Sequence, residues 1–458
     1  MSKKNKILIL LIAIILYIGF LVKSQDSDMY FIISTGKDIL NGHWFENPHT
    51  KLPIVVQQWL YAIICAKVDT LGTIGHFLFV VIQNVLLWAV SYKFVYDKTN
   101  DKWKSFIGPI IATLLTNSYL ICIRPQIITM ILLVIQLIIM EKYKKSNNGK
   151  ILLTLIPLSI LSANLHQAIF LYHIFIMIPY FVDLSDRKID WKLIISAPIM
   201  FLSTLCTPYG IDGPLYILKT FKSGVFNKLA ITEIVPVKSN SYYGVLLLIV
   251  LFATILLIHY RKSNKYINFY TFSIFVLSLT SFRHVSILYI SLLFILIETN
   301  IDKEIKTRYL LGILYLAIIV SLSFICKPFD MTKNDNAATN ILNIESFNIP
   351  KDATIYHDMN LGGYLEYVGY ENIVFDTRPE LYTEELCGEN RISDFIIFQY
   401  GRDEHTNQYV DDEQVIDVYN DYEYVISHKV AYASKILEQD SNYTYLGEDN
   451  NYLIWKQN

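Results

Sequence analysis

Cysteines and charged residues are scarce for a chain of this length. The 458 residues include five cysteines without a Cys-x-x-Cys pair, and only 17% are Asp, Glu, Lys or Arg. Four of the five cysteines lie in or beside apolar segments, where free cysteine usually acts as a small hydrophobic residue, so we assign them no chemistry. The pair Gly362–Gly363 lacks the Gly-x-Gly-x-x-Gly spacing and predicts no dinucleotide site. No internal repeat is visible, which disfavours a transporter built from inverted repeats.

Long hydrophobic runs are what the sequence has in abundance. Hydrophobic residues make up 53% of the chain and the mean hydropathy is +0.36. That is too apolar for an ordinary soluble protein of this size. A helix needs roughly 20 apolar residues to cross the hydrocarbon, with about 17–25 allowed. The sequence therefore predicts a polytopic α-helical membrane protein with eleven spans, plus or minus one or two, at 5–23, 72–93, 105–121, 126–141, 150–163, 167–183, 192–206, 243–260, 266–280, 284–298 and 307–326.

The charges divide the chain into two parts. Residues 1–326 hold 30 Lys and Arg against 16 Asp and Glu, whereas residues 327–458 hold 9 against 25. We therefore predict a membrane bundle at 1–326, a linker at 327–339 and a separate domain at 340–458. Basic residues concentrate in the loops on one side of the bundle, and the positive-inside rule makes that side cytoplasmic. The N-terminus is then inside, within a retained signal-anchor, and the C-terminal domain lies outside the plasma membrane.

The first predicted outer loop, residues 24–71, carries two acids directly after the first span. Asp26 and Asp28 lie at the membrane edge, where a carboxylate is costly to desolvate and so indicates a functional site. The apolar segment Ile54–Val68 of the same loop is too short to span and is predicted as an interfacial helix. A second interfacial helix is predicted at Leu215–Phe221, in the longer outer loop 207–241.

Further polar residues fall at the outer ends of the predicted spans. The turns that carry most of them are only a few residues long, so their side chains are expected at one rim of the bundle. Each has a structural alternative, such as snorkelling to lipid headgroups for an arginine or helix capping for an asparagine. Acids and cations on one side nevertheless favour a site where a carboxylate is a general base or metal ligand and cations hold a phosphate. The set comprises Asp26, Asp28, Arg124, Asn164, His166, Glu233, Arg283 and His284.

Short motifs follow one another in a fixed order along nearly the whole chain. They are Asp26, Asp28, Thr35–Gly36, Trp59–Leu60, Arg124–Pro125, Asn164–His166, Pro208–Gly210, Glu233, Arg283–His284, Asn360–Tyr364, Asp376–Arg378 and Tyr382. This order resembles a prokaryotic branch of the GT-C membrane glycosyltransferases, a superfamily that includes protein O-mannosyltransferases, aminoarabinose transferases and oligosaccharyltransferases. The sequence departs from that branch where Tyr30–Phe31 replace a tryptophan pair, Gln57–Gln58 replace a His-Glu pair, and Gln167 replaces a glycine.

The resemblance implies a reaction. A sugar would pass from a polyprenyl-phosphate donor to an acceptor on the outer face of the membrane, and direct attack would invert the anomeric carbon. The site residues implied by the resemblance, together with our assignment of cations to the phosphate by charge and side, form three groups. These are Asp26 and Asp28 as catalytic acids, Arg124, Arg283 and His284 for the donor phosphate, and Asn164, His166, Glu233 and Trp59 for the acceptor or sugar.

Several alternatives stay open on the sequence alone. Asp26 and Asp28 are the candidate ligands of an Mg²⁺ or Mn²⁺ ion, although the absent His-Glu pair leaves metal binding undecided. The acceptor is a glycan, a lipid or a protein. A polysaccharide polymerase or ligase would share the donor chemistry, and a transporter or scaffold in cell-surface glycan export would be non-catalytic.

The acidic C-terminal part alternates strand-like and helix-like segments and predicts a small three-layer α/β domain. Within it, Asp376–Arg378 and Tyr382 are expected in docking or core positions, with acceptor contact as the alternative. Its negative charge argues against a nucleic-acid ligand. The predicted strands are Ala353–His357, Asn372–Phe375, Tyr422–Ser427 and the hairpin of Tyr443–Gly447 with Tyr452–Lys456, and the helices are Leu361–Val368, Arg391–Gln399 and Val430–Glu438.

Overall fold

The computed structural model describes residues 27–116, 123–183, 188–225, 236–238, 241–259, 264–298 and 344–458. The helices are α1 (Ser27–Leu40), α2 (Trp59–Asp69), α3 (Gly72–Thr99), α4 (Lys102–Leu115), α5 (Gln126–Ser146), α6 (Leu155–His166), α7 (Leu171–Met177), α8 (Trp191–Ser203), α9 (Asp212–Ser223), α10 (Tyr242–His259), α11 (Lys265–Ser278), α12 (Leu288–Glu298), α13 (Met359–Tyr367), α14 (Glu384–Cys387), α15 (Arg391–Tyr400), α16 (Asp412–Tyr419) and α17 (Tyr432–Leu437). The strands are β1 (Val182–Asp183), β2 (Lys188–Ile189), β3 (Thr354–His357), β4 (Asn372–Ile373), β5 (Tyr424–His428), β6 (Tyr443–Asp449) and β7 (Tyr452–Gln457).

The contacts divide the chain into two compact units. The helical unit is formed by the described residues within 71–210 and 232–329. The sheet unit is formed by those within 25–70, 211–231 and 330–458. Each unit is therefore assembled from segments that are far apart in the sequence.

Helices of the helical unit occupy the positions of the predicted spans. The candidates at 5–23 and 307–326 lie outside the described residues, and each of the other candidates overlaps a helix. In the described part of the chain, Gly72–Thr99, Gln126–Ser146 and Gly149–His166 are long and apolar enough to cross a membrane. These helices indicate a membrane protein, and the total of eleven spans stays a prediction.

Capping residues set where several of these helices begin and end. The side chains of Asp101, Asp190 and Asn264 accept hydrogen bonds from backbone N–H groups in the first turns of α4, α8 and α11. Such caps satisfy donors that a helix start leaves unpaired. Helices α3 and α5 end at Asn100 and Asn147, which have φ values of 50° and 52° in the left-handed region that asparagine tolerates.

A mixed sheet organises the C-terminal part of the sheet unit. Its strand order is β4-β3-β5-β7-β6, with β3 parallel to β4 and β5, and β7 antiparallel to β5 and β6. The first four residues of β5 are all buried, as in a strand covered on both faces. The strands and the hairpin match the predicted segments with shifts of one or two residues at most ends, and the small sheet domain is confirmed. Helices α14 and α16 were not predicted.

The first outer loop belongs to the sheet unit. Helices α1 and α2 approach so closely that a Cβ on Gly36 would lie 2.1 Å from the carbonyl oxygen of Ala62. Helix α13 packs on α1 where a Cβ on Gly363 would lie 2.9 Å from the Cβ of Phe31. The sequence predicted this loop as part of the bundle, whereas its described residues form one compact unit with the C-terminal sheet. The predicted boundary at 326–327 lies outside the described residues.

Both predicted interfacial segments are helical. The first begins later than predicted, since Ile54–Val56 has no regular secondary structure and α2 starts at Trp59. The second, α9, extends beyond the predicted Leu215–Phe221 at both ends and closes on Gly224 with a φ of 64°. Because Gln57 donates a hydrogen bond to the carbonyl of Gly213 at 3.2 Å, the two segments are joined within the sheet unit. Their position at a membrane surface stays a prediction.

Candidate active site

The predicted site residues are distributed over both units. Asp26 and Glu233 lie outside the described residues. Asp28 and Trp59 belong to the sheet unit. The helical unit contains the remaining five, which are Arg124, Asn164, His166, Arg283 and His284.

Three of these five residues come together in the helical unit. The guanidinium of Arg283 is close enough to act electrostatically on His166, His284 and the hydroxyl of Tyr172. Tyr172 also hydrogen-bonds Nδ1 of His284 at 2.8 Å, and the two rings meet edge to face. We call His166, Tyr172, Arg283 and His284 the rim cluster. It joins the end of α6, the start of α7 and the turn before α12.

Thr129 ties the rim cluster to the start of α5. Its hydroxyl lies 3.0 Å from Nδ1 of His166 and also bonds the carbonyl of Pro125. Arg124 directly precedes Pro125 and is buried, with 8% of its surface exposed. The start of α5 and the end of α6 therefore lie together, as the short predicted turns require. Arginine guanidinium groups at these neighbouring helix ends suit an anionic group.

Asn164 has a structural task in the described chain. Its side-chain amide donates to the carbonyl of Ile160 at 2.7 Å and to that of Cys206 at 2.9 Å. These two bonds use both amide hydrogens and join α6 to the segment after α8. The assignment of Asn164 to the sugar or acceptor stays a prediction.

The two site candidates of the sheet unit lie at helix starts. Asp28 is in the first turn of α1 and is partly buried. An acid at that position also stabilises the helix through the macrodipole, which is its structural alternative. Trp59 begins α2 and packs its ring against Trp44, with ring centroids 5.4 Å apart. Among the described residues, no group of three or more His, Cys, Asp or Glu side chains could hold a metal ion.

The helical unit contains a buried polar network that the sequence did not predict. His173 is fully buried, with Ser162 at 2.7 Å from Nε2 and the carbonyl oxygen of the Gln136 side chain against Nδ1. Gln136 also donates to the backbone carbonyl of His173 at 2.9 Å. Every ring nitrogen is therefore satisfied, and the network joins α5, α6 and α7 as interhelical hydrogen bonds do in membranes. All three residues fall inside predicted spans, where hydropathy gave no reason to single them out.

A second buried network holds the first outer loop to the C-terminal sheet. Asn47 donates from its side-chain nitrogen to Glu366 Oε1 at 2.6 Å and to Asp376 Oδ2 at 3.4 Å. Arg378 donates from Nε to Asp376 Oδ2 at 2.8 Å, and its guanidinium lies over the ring of Phe31. We call Asn47, Glu366, Asp376 and Arg378 the acid–arginine cluster. All four side chains are buried.

The acid–arginine cluster contains one more acid than cation. Burial, followed by the neighbouring Asp376 carboxylate, raises the pKa of Glu366 to about 8, and the charge of Arg378 offsets this only in part. Nearby, burial lowers the pKa of His49, but its hydrogen bond to Asp38 and the charges of Glu366 and Asp38 prevail, so that the pKa is raised overall. Glu366 is therefore largely protonated near neutral pH. The predicted docking or core role of Asp376–Arg378 agrees with this burial.

Comparisons with known proteins give a fold. No protein-family model and no curated protein matches the sequence. Among solved structures, ArnT from Cupriavidus metallidurans bound to undecaprenyl phosphate aligns with a TM-score of 0.57 at 10% identity, over 99% of this chain and 98% of that one. The oligosaccharyltransferase AglB from Archaeoglobus fulgidus, in complex with an inhibitory peptide and a dolichol-phosphate, also gives 0.57 at 10% identity, over 98% and 74%.

A further structure of the Archaeoglobus fulgidus oligosaccharyltransferase, tethered to an acceptor peptide, gives 0.56 at 12% identity, over 93% of this chain and 69% of that one. All three neighbours are GT-C glycosyltransferases. The chain has the GT-C fold. At these identities the GT-C likeness concerns the path of the chain, and the role of each residue has to follow from its own chemistry.

The acid–arginine cluster is expected to make the stability of the sheet unit depend on pH. Because the pKa of Glu366 is raised from its ordinary 4.5 to about 8, the folded state holds a proton that the unfolded state releases. Stability of the sheet unit is therefore expected to fall as pH rises from about 4.5 to 8, by up to about 1.4 kcal/mol per pH unit. Hydrogen exchange of the β3, β5 and β7 amides between pH 5 and 9, corrected for the intrinsic exchange rates, measures this loss of stability.

Glu366→Gln isolates this effect, since glutamine keeps the oxygen that accepts from Asn47 and cannot ionise. The variant is expected to flatten the pH dependence and to be more stable than the wild type at pH 9. Glu413→Gln, at an exposed position of α16, is the matched control and should leave the profile unchanged. A wild-type profile that Glu366→Gln does not alter would show that Glu366 ionises normally.

Proposed function

We propose that this chain transfers a sugar from a polyprenyl-phosphate-linked donor to an acceptor on the outer face of the plasma membrane, with inversion of the anomeric carbon. The rim cluster is the observation that carries the proposal. It groups Arg283, two histidines and Tyr172 at helix ends, next to the turn that carries the buried Arg124. ArnT and AglB, which have the same fold, are described with undecaprenyl phosphate and dolichol-phosphate.

The donor phosphate would be held by cations of the helical unit. Arg124 and Arg283 are assigned to it because a guanidinium binds phosphate through two parallel hydrogen bonds and stays charged at any working pH. His284 is assigned to it as a hydrogen-bonding side chain next to Arg283. As the sugar–phosphate bond breaks, negative charge grows on the leaving phosphate. Fixed cations stabilise that charge more in the transition state than in the ground state, which is what accelerates a reaction.

The acceptor would be activated by the acids. Asp26 is assigned as the general base that takes the proton from the acceptor hydroxyl, and Asp28 as its neighbour in the same motif. The attacking oxygen then forms the new bond to the anomeric carbon as the bond to phosphate breaks, so configuration inverts. An Mg²⁺ or Mn²⁺ ion, if this branch uses one, would take Asp26 and Asp28 as ligands, since such ions prefer oxygen.

Contacts to the sugar or acceptor are assigned to Asn164, His166, Glu233 and Trp59. His166 belongs to the rim cluster, and the aromatic face of Trp59 suits the apolar face of a sugar ring. Asn164 lies on the same helix, α6, two residues before His166. The acceptor is a glycan, a lipid or a protein, and the C-terminal domain lies on the same outer side.

The test compares the lipid-linked sugars and cell-surface glycans of three strains. They are extracted from the wild type, a deletion strain and a strain carrying Asp26→Asn. We expect the deletion and Asp26→Asn to lose the same glycan product and to accumulate lipid-linked donor, with Asp26→Asn inserted in the membrane at wild-type levels. The reason is that asparagine keeps the shape of aspartate and cannot accept the proton.

Asp421→Asn, at an exposed acid of the sheet unit, is the control and should retain product. A scaffold would behave differently, because Asp26→Asn would then support normal product while the deletion would not. Unchanged glycans in the deletion strain would contradict the proposed transfer altogether.

A further inference from the structure

A cavity of about 400 Å³ opens within the sheet unit, and none of the site candidates above lines it. It lies at the starting ends of β3 and β4, beside the turn 49–51 of the first outer loop and the start of α15. Ligand sites in proteins commonly measure roughly 300–1,000 Å³. The cavity lining comprises His49, Thr50, Lys51, Thr354, Tyr356, Asn372, Ile373, Val374, Glu389, Asn390, Arg391, Asp394, Val418 and Tyr422.

The turn that forms one wall is held firmly. The carbonyl of His49 accepts from the backbone N–H of Ile373 at 3.3 Å, and its Nδ1 bonds the carbonyl of Tyr370 at 2.6 Å. Lys51 has a φ of 60°, a left-handed conformation that is uncommon outside glycine and is often found at functional positions. The wall is therefore preformed, which lowers the entropy that this turn loses when a ligand binds.

The chemistry of the lining fits a neutral molecule with many hydroxyls. Cations and acids are mixed, and Arg391 is paired with Glu389 at 3.1 Å, so neither sign dominates. Asn372 donates its amide to the carbonyl of Asp352, which leaves its side-chain oxygen as an acceptor. The half-buried ring of Tyr422 supplies an aromatic surface, and aromatic faces attract the C–H groups of a sugar ring.

Two hydroxyls of the lining have unused hydrogen-bonding capacity. Thr50 and Tyr356 are 4% and 1% exposed, and neither hydroxyl has a hydrogen-bond partner among the described residues. Buried hydroxyls are nearly always bonded, because burial without a partner costs free energy. Each can donate and accept at once, as sugar hydroxyls do. A polyhydroxylated ligand at this wall would give both a partner.

We infer that this cavity binds one saccharide residue, through the hydroxyls of Thr50 and Tyr356, the acceptors Asn372 and Asp394, and the ring of Tyr422. The binding is independent of catalysis. The identification of this saccharide as one unit of the acceptor glycan rests on the proposed function. The cavity would then hold the glycan on the sheet unit while its end is extended.

The test is equilibrium binding to the full-length protein in detergent, by saturation-transfer NMR and calorimetry. Glucose, galactose, N-acetylglucosamine and their disaccharides are titrated, with inorganic phosphate as the anionic comparison. We expect saturable binding of at least one neutral saccharide, weakened at least tenfold by Thr50→Val and by Tyr356→Phe. Neither change should lower the melting temperature, because each removes a hydroxyl that has no protein partner.

Tyr419→Phe is the matched control, since its buried hydroxyl bonds Asp440 at 3.1 Å and Tyr419 does not line the cavity. It should lower the melting temperature and leave binding unchanged. The inference is overturned if no saccharide saturates, if phosphate alone binds, or if Thr50→Val and Tyr356→Phe lower stability without affecting binding. Binding without any glycan change in the deletion strain would contradict the proposed transfer and leave the saccharide site standing.

Discussion

Arg378→Met is expected to destabilise the sheet unit by about 3–5 kcal/mol, because it leaves a buried carboxylate without its cation. Asp376 is fully buried and takes hydrogen bonds from the backbone N–H and the guanidinium of Arg378. Methionine fills a similar volume and removes the charge and the side-chain donors. The pKa of Glu366 is already raised, and without Arg378 its carboxyl group would lie beside an Asp376 carboxylate whose charge no cation balances. The cost should therefore be larger above neutral pH than below it.

Hydrogen exchange of the sheet amides, measured on the full-length protein, reports this loss as faster sub-global opening. Arg391→Met is the matched control, since Arg391 pairs with Glu389 at a solvent-exposed site, and such pairs contribute about 0–1 kcal/mol. The double variant Asp376→Asn with Arg378→Met should recover part of the stability because it removes the orphaned charge. Equal costs for Arg378→Met and Arg391→Met would rule out the electrostatic explanation.

Gly362→Ala is expected to cost about 3 kcal/mol, at the upper end of ordinary overpacking. A Cβ at this position would lie 2.0 Å from the carbonyl oxygen of Phe375 and 2.6 Å from Cα of Asp376. Both are backbone atoms that cannot rotate away, so α13 or the chain after β4 has to move. The same movement would disturb Asp376, and the acid–arginine cluster should loosen together with the helix.

Thermal unfolding of the full-length protein, followed through the sheet unit by hydrogen exchange, measures this cost. Gly149→Ala provides the comparison, because its nearest neighbour would be Cδ of Lys192 at 3.5 Å, an ordinary contact at the flexible end of a side chain. That variant should be nearly neutral. A Gly362→Ala protein as stable as Gly149→Ala would mean that the helix shifts freely, contrary to the tight packing described here.

Local patterns in the sequence predicted what local physics controls. The hairpin of β6 and β7 was predicted from two apolar runs around a polar turn, and the spans from hydropathy. Pairing over long distances has no such signal. Asn47 and Glu366 are 319 residues apart, and nothing in either segment indicates that they meet. The grouping of the first outer loop with the C-terminal sheet was missed for this reason.

At the candidate site, too, some features could be predicted from the sequence and others could not. Sidedness predicted that His166, Arg283 and His284 would be near one another, and the rim cluster brings them together. Tyr172, which completes the rim cluster, was missed because a tyrosine inside an apolar segment is ordinarily interpreted as a core residue. Asn164 has its amide hydrogens engaged in packing, a use that a short motif cannot distinguish from ligand binding.

The position of β7 has a consequence for biosynthesis. This strand lies between β5 and β6, so the sheet cannot close until the ribosome has passed residue 457. Helix α1, which carries Asp28, is synthesised early. Helix α13, which packs on it, is translated more than three hundred codons later. Contacts of such high sequence separation form slowly. A chain whose translation stops before β7 would therefore lack a complete sheet, because β5 and β6 would have no strand between them.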